Sequence, residues 1–348
     1  MSTFPDSHQR AISPTPIAAL DVVAARHWSE TRATLGQHVM RVLNTLATVA
    51  LHAGALVAVI FARPTLWDAL IAVGFYLTGM LVITGGYHRY FAHRSYKTSR
   101  VMQALIAFAG CFCTQKGALW WAATHRQHHR ATDAPDDPHS PHQGGFWHSH
   151  ILWTLSSKHE GYDPALVRDL IKFPELRLLD RFCTLPLIAY MSVSFALGGL
   201  HGVGWWYCVP TVVLMHAVML INSVSHLYGK RRFATPDQSR NNRWLAMFTL
   251  GEGWHNNHHR CMNSARFGFD GELDIGYGAL KLLRSVGLVW DLREPPEALR
   301  RAEHGTSAGV RAAISQPSTD AERELSTRGR RSGTGGCDFP PKESARRS

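Results

Sequence analysis

The chain has 348 residues, of which 45% are hydrophobic and only 18% are charged; 37 Lys and Arg outnumber 26 Asp and Glu, so the net charge is +11. This length alone would allow two or three soluble domains, but long uncharged stretches argue against them. The sequence contains no P-loop, no Gly-rich dinucleotide fingerprint and no Ser-His-Asp hydrolase signature. The basic residues lie beside apolar stretches, which favours anionic lipid headgroups or a phosphorylated carrier over nucleic acid as partners.

Two apolar stretches follow a polar N-terminal segment at residues 1–37. Residues 38–61 contain one charged side chain, Arg41, and residues 66–87 contain one, Asp68. Each stretch is close to the ~20 residues that cross a ~30 Å hydrocarbon core. Since only residues 62–65 join them, the pair predicts a transmembrane hairpin.

A second uncharged pair, residues 182–200 and 203–225, predicts another transmembrane hairpin with its turn around His201 and Gly202. Two hairpins place the N-terminus, the segment between the hairpins and the C-terminal part on one side. Most Lys and Arg lie on that side, so the positive-inside rule predicts that it is cytosolic and contains both termini. Residues 300–348 are poor in aromatics, which predicts a disordered tail after a membrane domain at residues 38–299.

Three histidine clusters lie on the predicted cytosolic side. Two have the pattern His-x-x-His-His, whose members at i, i+3 and i+4 share one helix face. In the other cluster two histidines are five residues apart, ~140° around a regular helix, so they do not easily bind a single ion and two ions are favoured over one. The clusters are His88 and His93; His125, His128 and His129; His255, His258 and His259.

Eight imidazoles are twice the number that saturates a structural zinc. Nitrogen ligation suits zinc, copper, iron or nickel, whereas magnesium and calcium prefer oxygen. The clusters therefore indicate a two-iron site for redox or oxygen chemistry. A histidine-rich metal transporter is the alternative from a different class, but its spans would be lined with polar ligands. His52 and His216 are the only imidazoles in the middle of the predicted spans, and the sequence predicts that they are isolated.

Six segments form a highly specific series by their length, order and spacing: residues 86–97 (GYHRYFAHRSYK), 120–129 (WWAATHRQHH), 137–141 (DPHSP), 145–150 (GFWHSH), 222–226 (NSVSH) and 251–259 (GEGWHNNHH). Together they resemble the membrane fatty acyl desaturases of the acyl-CoA Δ9 type. The resemblance extends from about residue 51 to about residue 292 and omits both termini.

The resemblance implies a mushroom-shaped, all-α integral membrane protein with four transmembrane helices and a cytosolic helical cap that holds two histidine-ligated iron ions. It adds a ninth histidine, His226, and implies that Asn222, four residues earlier on the same helix face, binds its iron through water. One iron is assigned His88, His125, His129 and His255, with Asn222. The other is assigned His93, His128, His226, His258 and His259.

The implied reaction is the O2-dependent removal of two hydrogens from adjacent methylenes of a saturated fatty acyl chain, which gives a cis double bond at the Δ9 position. Unactivated C–H bonds are too strong for acidic or basic side chains, so metal and oxygen must supply the oxidising power. The acyl carrier would be CoA, acyl carrier protein or a phospholipid. A separate ferredoxin or haem protein, with an NAD(P)H reductase, would supply electrons. A sister di-iron hydroxylase of lipids, which would form an alcohol, is the alternative within the superfamily.

Four residues are expected to shape the acyl tunnel. By the resemblance, Gln115 and Trp121 form walls near the irons, while Ala72 and Tyr76, one helical turn apart, close the far end. Tyr76 precedes His88 by twelve residues, so it is expected ~18 Å deeper in the membrane, where its ring would favour a sixteen-carbon chain. The composition and the lack of a fused haem domain favour a bacterial inner membrane as the location.

Overall fold

The computed structural model describes residues 16–301. These residues are mostly helical, as predicted, and one pair of short strands joins Lys97 to Trp290 and Thr98 to Val289 in antiparallel register. The predicted tail beyond residue 301 and the first fifteen residues lie outside the described part of the chain. The elements are α1 (Pro16–Phe61), α2 (Leu66–Leu81), β1 (Lys97–Thr98), α3 (Arg100–Gly110), α4 (Ala118–Ala131), α5 (Pro141–His150), α6 (Arg168–Ile171), α7 (Pro174–Arg181), α8 (Thr184–Gly202), α9 (Val209–Leu227), α10 (Arg243–Phe248), α11 (His255–Arg260), α12 (Ile275–Ser285), β2 (Val289–Trp290) and α13 (Glu297–Arg301).

Three continuous helical segments of the described chain are long and apolar enough to cross a membrane: His38–Phe61, Leu66–Ala92 and Thr184–Leu227. The first two form the predicted hairpin. Thr65 begins α2 with a capping box, because its hydroxyl accepts from the Asp68 N–H and the Asp68 carboxylate accepts from the Thr65 N–H. These bonds satisfy backbone donors that a helix start leaves unpaired, so the short connection ends where the apolar residues resume.

The third segment folds back on itself at Gly199. This glycine has φ +57° and ψ −148°, a conformation that glycine adopts more readily than other residues. The Tyr190 hydroxyl donates to the Trp206 carbonyl oxygen over 2.8 Å, although sixteen residues of straight helix would separate the two by about 24 Å. The sequence therefore predicted two apolar arms correctly, but it placed the reversal at His201 and Gly202, which are helical.

The tips of the two hairpins are joined through one buried carboxylate. Asp68 accepts from the Trp206 indole N–H over 2.6 Å and lies 3.0 Å from His201 Nε2. Both partners follow the Gly199 reversal. A charged side chain placed near the start of a membrane helix is thus satisfied by side chains of the second hairpin.

The second long segment continues beyond α2 as a π-helix, Val82–Ala92, which is almost wholly buried. Its backbone N–H groups bond five residues back, as in the contact of His93 N with His88 O over 3.2 Å. Tyr87 and Phe91 on this π-helix are fully buried in the main apolar core. A second π-helix, Val203–Cys208, precedes α9.

We expect Gly110→Ala to destabilise the protein, because its methyl group would lie about 2 Å from the ring of buried Tyr87. Overpacking of this kind costs about 1–3 kcal/mol. Thermal unfolding of the detergent-solubilised protein measures the loss. Gly74→Ala on α2 is the matched control, since its added methyl group meets no atom within 4 Å. Equal melting temperatures for the two variants would contradict the packing described.

Candidate metal centre

All nine histidines named from the sequence gather in one buried region at the ends of the long helices. The π-helix contributes His88 and its C-cap residue, His93; α4 contributes three, α9 one and α11 three. Their ligand atoms form two groups, and within each group all of these atoms lie within 4.8 Å of one another. The first group is His88, His93, His125, His129 and His258; the second is His128, His226, His255 and His259.

This division differs from the one implied by the resemblance, because His93 and His258 join His88, while His255 joins His226. The π-helix explains His93. In i→i+5 bonding, residues five apart lie one turn above each other, so the ~140° separation expected for a regular helix does not apply. On α11, His255 and His259 are four residues apart and share the face toward His226, whereas His258 Nε2 lies 3.0 Å from His88 Nε2.

The Nε2 atoms lie so close together that hydrogen bonds alone do not account for their spacing. In the first group, consecutive Nε2 atoms along the series His93, His125, His129, His258, His88 are 2.9–3.0 Å apart. In the second, His255 Nε2 lies 3.1 Å from His226 Nε2 and 3.0 Å from His259 Nε2. A ring nitrogen carries at most one hydrogen, so a nitrogen with two such neighbours cannot donate to both of them. The lone pairs of some neighbouring nitrogens therefore face one another.

A cation removes this conflict. With metal–nitrogen bonds of about 2.1 Å, two ligands at right angles around one ion are ~3.0 Å apart, which matches the observed spacing. His128 Nε2 is also buried without a hydrogen-bond partner. The two groups therefore fit two metal ions, with donors that suit a transition metal.

Four carboxylates fix the orientation of four of the nine imidazoles. Glu252 lies 2.5 Å from His88 Nδ1 and Asp137 lies 3.0 Å from His128 Nδ1. Asp133 lies 3.1 Å from His226 Nδ1 and Asp237 lies 3.2 Å from His259 Nδ1. A carboxylate at Nδ1 holds the proton there and leaves the Nε2 lone pair for a metal.

Burial and charge keep these groups in the protonation states that metal binding requires. Burial lowers the pKa of His125 well below its usual value, and the neighbouring imidazoles lower it further. Burial raises the pKa of Asp133, but the hydrogen bond and charge of His226 and the hydrogen bonds from Gln238 and Ser140 together outweigh burial and lower that pKa to about 2. At neutral pH the site thus presents His125 as a neutral imidazole and Asp133 as an ionised carboxylate.

Sequence reasoning missed these carboxylates. Asp137 and Glu252 lie inside the segments that carry the resemblance, which was the available signal. Asp133 and Asp237 lie outside those segments, and no spacing rule connects them to His226 and His259. Their partnership depends on loops that meet only in the folded chain.

Arg89 stabilises the Glu252 carboxylate that contacts His88. Its side chain is fully buried, and it bonds both oxygens of Asp274 at 3.0 and 3.1 Å and lies 3.4 Å from Glu252. Its guanidinium stacks 3.8 Å above the centre of the Phe267 ring. These contacts compensate a charge that would be costly if buried alone, and they fix the carboxylate that orients His88.

A cavity of about 240 Å³ adjoins the first histidine group. Gln115 and Trp121 line it, and the ring of Trp121 stacks on the ring of His125 with 4.9 Å between the ring centres. Asn222 also lines it, and its side chain is half-buried. Most other lining residues are apolar; they include Leu51, Leu187, Tyr207, Met215, Val218 and Met219.

Ala72 and Tyr76 are not among the residues that line this cavity. The Tyr76 hydroxyl donates to the Phe248 carbonyl oxygen over 2.6 Å, and its ring packs edge-on against the Phe248 ring. The prediction that Tyr76 closes the tunnel therefore does not match this cavity. Helix position gave the depth of Tyr76 but not the neighbour toward which its side chain turns.

Comparison with known proteins matches residues 64–267 to the model of the fatty acid desaturase family. The chain belongs to the fatty acid desaturase family. It is 35% identical over 308 residues to the delta-9 acyl-lipid desaturase 2 of Arabidopsis thaliana; the alignment covers 86% of this chain and 97% of the relative, and the same two shares are given in brackets for the next two relatives. It is 39% identical over 229 residues to the acyl-CoA 5-desaturase of Anemone leveillei (64% and 70%). It is 37% identical over 247 residues to the palmitoyl-monogalactosyldiacylglycerol delta-7 desaturase of Arabidopsis thaliana (69% and 66%).

The buried histidine groups and long apolar helices of this desaturase agree with that membership. Family membership fixes the reaction as desaturation of fatty acyl chains. It does not fix the position of the double bond, because relatives at similar identity are named for positions 9, 5 and 7.

We expect Glu252→Gln to weaken metal binding by roughly 10- to 100-fold, because Gln keeps the shape of the side chain but removes the charge that holds the His88 Nδ1 proton. The metal retained per chain after dialysis against a chelator measures this loss. Asp291→Asn is the matched control, since Asp291 forms only an exposed ion pair with Lys97. Equal metal retention in both variants would show that Glu252 does not support the centre.

Proposed function

We propose that this desaturase introduces a cis double bond at the Δ9 position of a saturated fatty acyl chain, with O2 as oxidant, at a di-iron centre held by the nine histidines. The observation that carries the proposal is the position of an apolar cavity beside the first histidine group, with His125 and Trp121 in its wall. An acyl chain in that cavity would lie next to the metals.

Iron bound in the two groups would supply, with O2 and external electrons, the oxidising power that removes two hydrogens from the chain. The protein positions the reactants. The carboxylates at Nδ1 hold His88, His128, His226 and His259 in one tautomer each, and the stacked Trp121 fixes the ring plane of His125. Apolar walls exclude water, so the substrate meets the metals in a dry cavity.

Asn222 is proposed to bind an iron through water, since it lines the cavity and precedes His226 by one helical turn on α9. This role gives Asn222 a polar function in a mainly apolar wall.

The reversal at Gly199 supports four spans in two hairpins. The excess of Lys and Arg on the side of the histidines supports a cytosolic location for them and for both termini, and the membrane is proposed to be a bacterial inner membrane. Electrons would come from a separate ferredoxin or haem protein with its NAD(P)H reductase. CoA, acyl carrier protein and phospholipid esters are the candidate carriers, and lipid-linked and CoA-linked substrates both occur in the names of the relatives.

Expression in a desaturase-deficient host, followed by gas chromatography–mass spectrometry of the lipids, tests the proposal. We expect monounsaturated chains with the double bond nine carbons from the carboxyl end, and none from His128→Ala, which removes one buried donor of the second group. A bond at position 5 or 7 would correct the regiochemistry. Hydroxylated chains would identify a hydroxylase, and changed cellular metal content with unchanged lipids would identify a transporter.

The chain length of the product depends on where the cavity ends. Asn222 and Tyr207 both line the cavity, and the fifteen residues of helix between them span about 22 Å. Tyr207 therefore lies at the end of the cavity that is farther from the metals. An acyl chain that fills this length would stop against the Tyr207 ring.

We expect Tyr207→Ala to lengthen the cavity and to raise the ratio of 18-carbon to 16-carbon monounsaturated products, with the double bond unmoved. Tyr76→Ala is the control, since Tyr76 packs against Phe248 instead of lining this cavity. The product ratio is read from the same lipid chromatograms. A shift in Tyr76→Ala alone would restore the assignment made from the sequence.

A further inference from the structure

Buried polar side chains in and beside the cavity wall differ in whether they have partners. His52 Nε2 lies 3.0 Å from His216 Nε2, and His216 Nδ1 lies 2.9 Å from His150 Nε2, so the sequence-based prediction that His52 and His216 are isolated is wrong. Trp153 is the opposite case. It lines the cavity and is only 5% exposed, yet its indole N–H has no hydrogen-bond partner among the described residues.

Other tryptophans of this chain satisfy the same group. The indole N–H groups of Trp120, Trp205, Trp206 and Trp254 donate to oxygen atoms over 2.6–3.0 Å. A buried donor without a partner costs stability, and most buried donors in folded proteins are therefore paired. The unpaired donor of Trp153, in the wall of a cavity, indicates a partner that arrives with a ligand.

Packing holds the Trp153 ring in place. The ring lies in a buried cluster with Trp120, Met215 and Met219, and it stacks on the Trp120 ring at 12°, with 6.0 Å between the ring centres. Trp120 is itself fixed by its hydrogen bond to the His159 carbonyl oxygen. Because dense packing opposes rotation of so large a side chain, the donor of Trp153 keeps its direction.

His139 adds a second unsatisfied group at the same place. It also lines the cavity and is 5% exposed, and its Nδ1 is buried without a hydrogen-bond partner in the part of the chain that the structure describes. The centre of its ring lies 5.0 Å from that of Trp153 and 4.4 Å from that of His128. The unsatisfied groups therefore adjoin the second histidine group.

The proposed substrate has one group that fits a lone donor. A saturated acyl chain offers only methylenes up to the carbonyl that joins it to its carrier. A carbonyl oxygen only accepts hydrogen bonds, and an indole N–H only donates them. Thioesters of CoA or carrier protein and esters of glycerolipids all contain this carbonyl, so the match does not depend on the carrier.

The length of the chain agrees with this position. Since the rings of Trp153, His139 and His128 follow one another at 5.0 and 4.4 Å, the Trp153 ring lies within about 9 Å of the His128 ring. An extended chain gains roughly 1.2 Å per bond, so the eight bonds from the carbonyl carbon to C9 span ~10 Å (scaled from). A carbonyl held at Trp153 thus allows C9 to reach the second histidine group.

We propose that the indole N–H of Trp153 binds the carbonyl oxygen of the acyl ester and so determines how far the chain enters the cavity. This inference rests on the proposed function. With the carbonyl held, the position of the double bond is counted from the carboxyl end for every chain length. Without that hydrogen bond the remaining stop is the far end of the cavity at Tyr207, and the position is counted from the methyl end.

Infrared spectroscopy tests the hydrogen bond without turnover. The probe is methyl palmitate, which has the carbonyl but no carrier, bound to the purified iron-loaded protein in the absence of O2. The difference between spectra with ¹²C and ¹³C at the carbonyl isolates its stretching band. We expect this band at a lower frequency in the wild type than in Trp153→Phe, because Phe keeps an aromatic ring but has no N–H to donate.

Two comparisons complete this measurement. Trp67→Phe is the matched control, since Trp67 is 73% exposed at the start of α2, and it should keep the wild-type frequency. The wild-type band should also lie below that of methyl palmitate dissolved in hexadecane, a comparison that needs no variant to fold. A wild-type frequency equal to that in hexadecane or in Trp153→Phe, or no band from bound probe, would overturn the proposal.

Product analysis tests the consequence for the reaction. The desaturase-deficient host is supplied with saturated acids of 15, 16 and 17 carbons. The wild type and Trp67→Phe should place the double bond at one constant distance from the carboxyl end. In Trp153→Phe the position should move by one carbon for each added carbon, and a position that stays constant there would overturn the proposal.

The two measurements fail independently. If the wild type lowers the carbonyl frequency but forms no unsaturated product, the proposed function fails and the carbonyl site at Trp153 stands. If unsaturated products form while the carbonyl frequency is the same in the wild type and in Trp153→Phe, the desaturase function stands and the carbonyl site fails.

Discussion

The metal centre depends on where each imidazole keeps its proton. Eight of the nine histidines have a ring nitrogen within hydrogen-bonding distance of another imidazole nitrogen, and that arrangement is tolerable only when the lone pairs point at cations. Carboxylates at Nδ1 enforce this orientation for His88, His128, His226 and His259. The carboxylates are themselves buried charges, so the fold must compensate them. Arg89, enclosed by Asp274, Glu252 and Phe267, is the clearest result of that requirement.

The π-helix links the membrane part of the chain to this chemistry. A regular α-helix would turn His88 and His93 to different sides, and they would serve different ions. Bonding five residues back, from His93 N to His88 O, brings both into the first group. The same segment begins in a long apolar helix, so a local change in helix type converts a membrane helix into a ligand-bearing element.

Local pattern predicted much of this molecule and tertiary contacts decided the rest. The apolar arms and all nine histidines follow from spacing, composition and resemblance, because those features lie along the sequence. The position of the reversal at Gly199, the division of the histidines and the carboxylate partners depend on segments that meet only after folding. Tyr76 illustrates the limit: its depth on α2 is predictable, but the hydrogen bond to Phe248 that turns it away from the cavity is not.

A membrane desaturase must satisfy two opposed demands. Its cavity has to be dry enough to receive a hydrocarbon chain, while its reaction consumes protons that only polar groups can carry. Met215 and Met219 line the cavity, whereas His216 and Ser223 on the same helix make polar contacts outside its lining. The position of the double bond is then set by how far the chain enters, which depends on the wall and not on the metals. Relatives with similar identity to this chain but different named positions, 9, 5 and 7, are consistent with that division of labour.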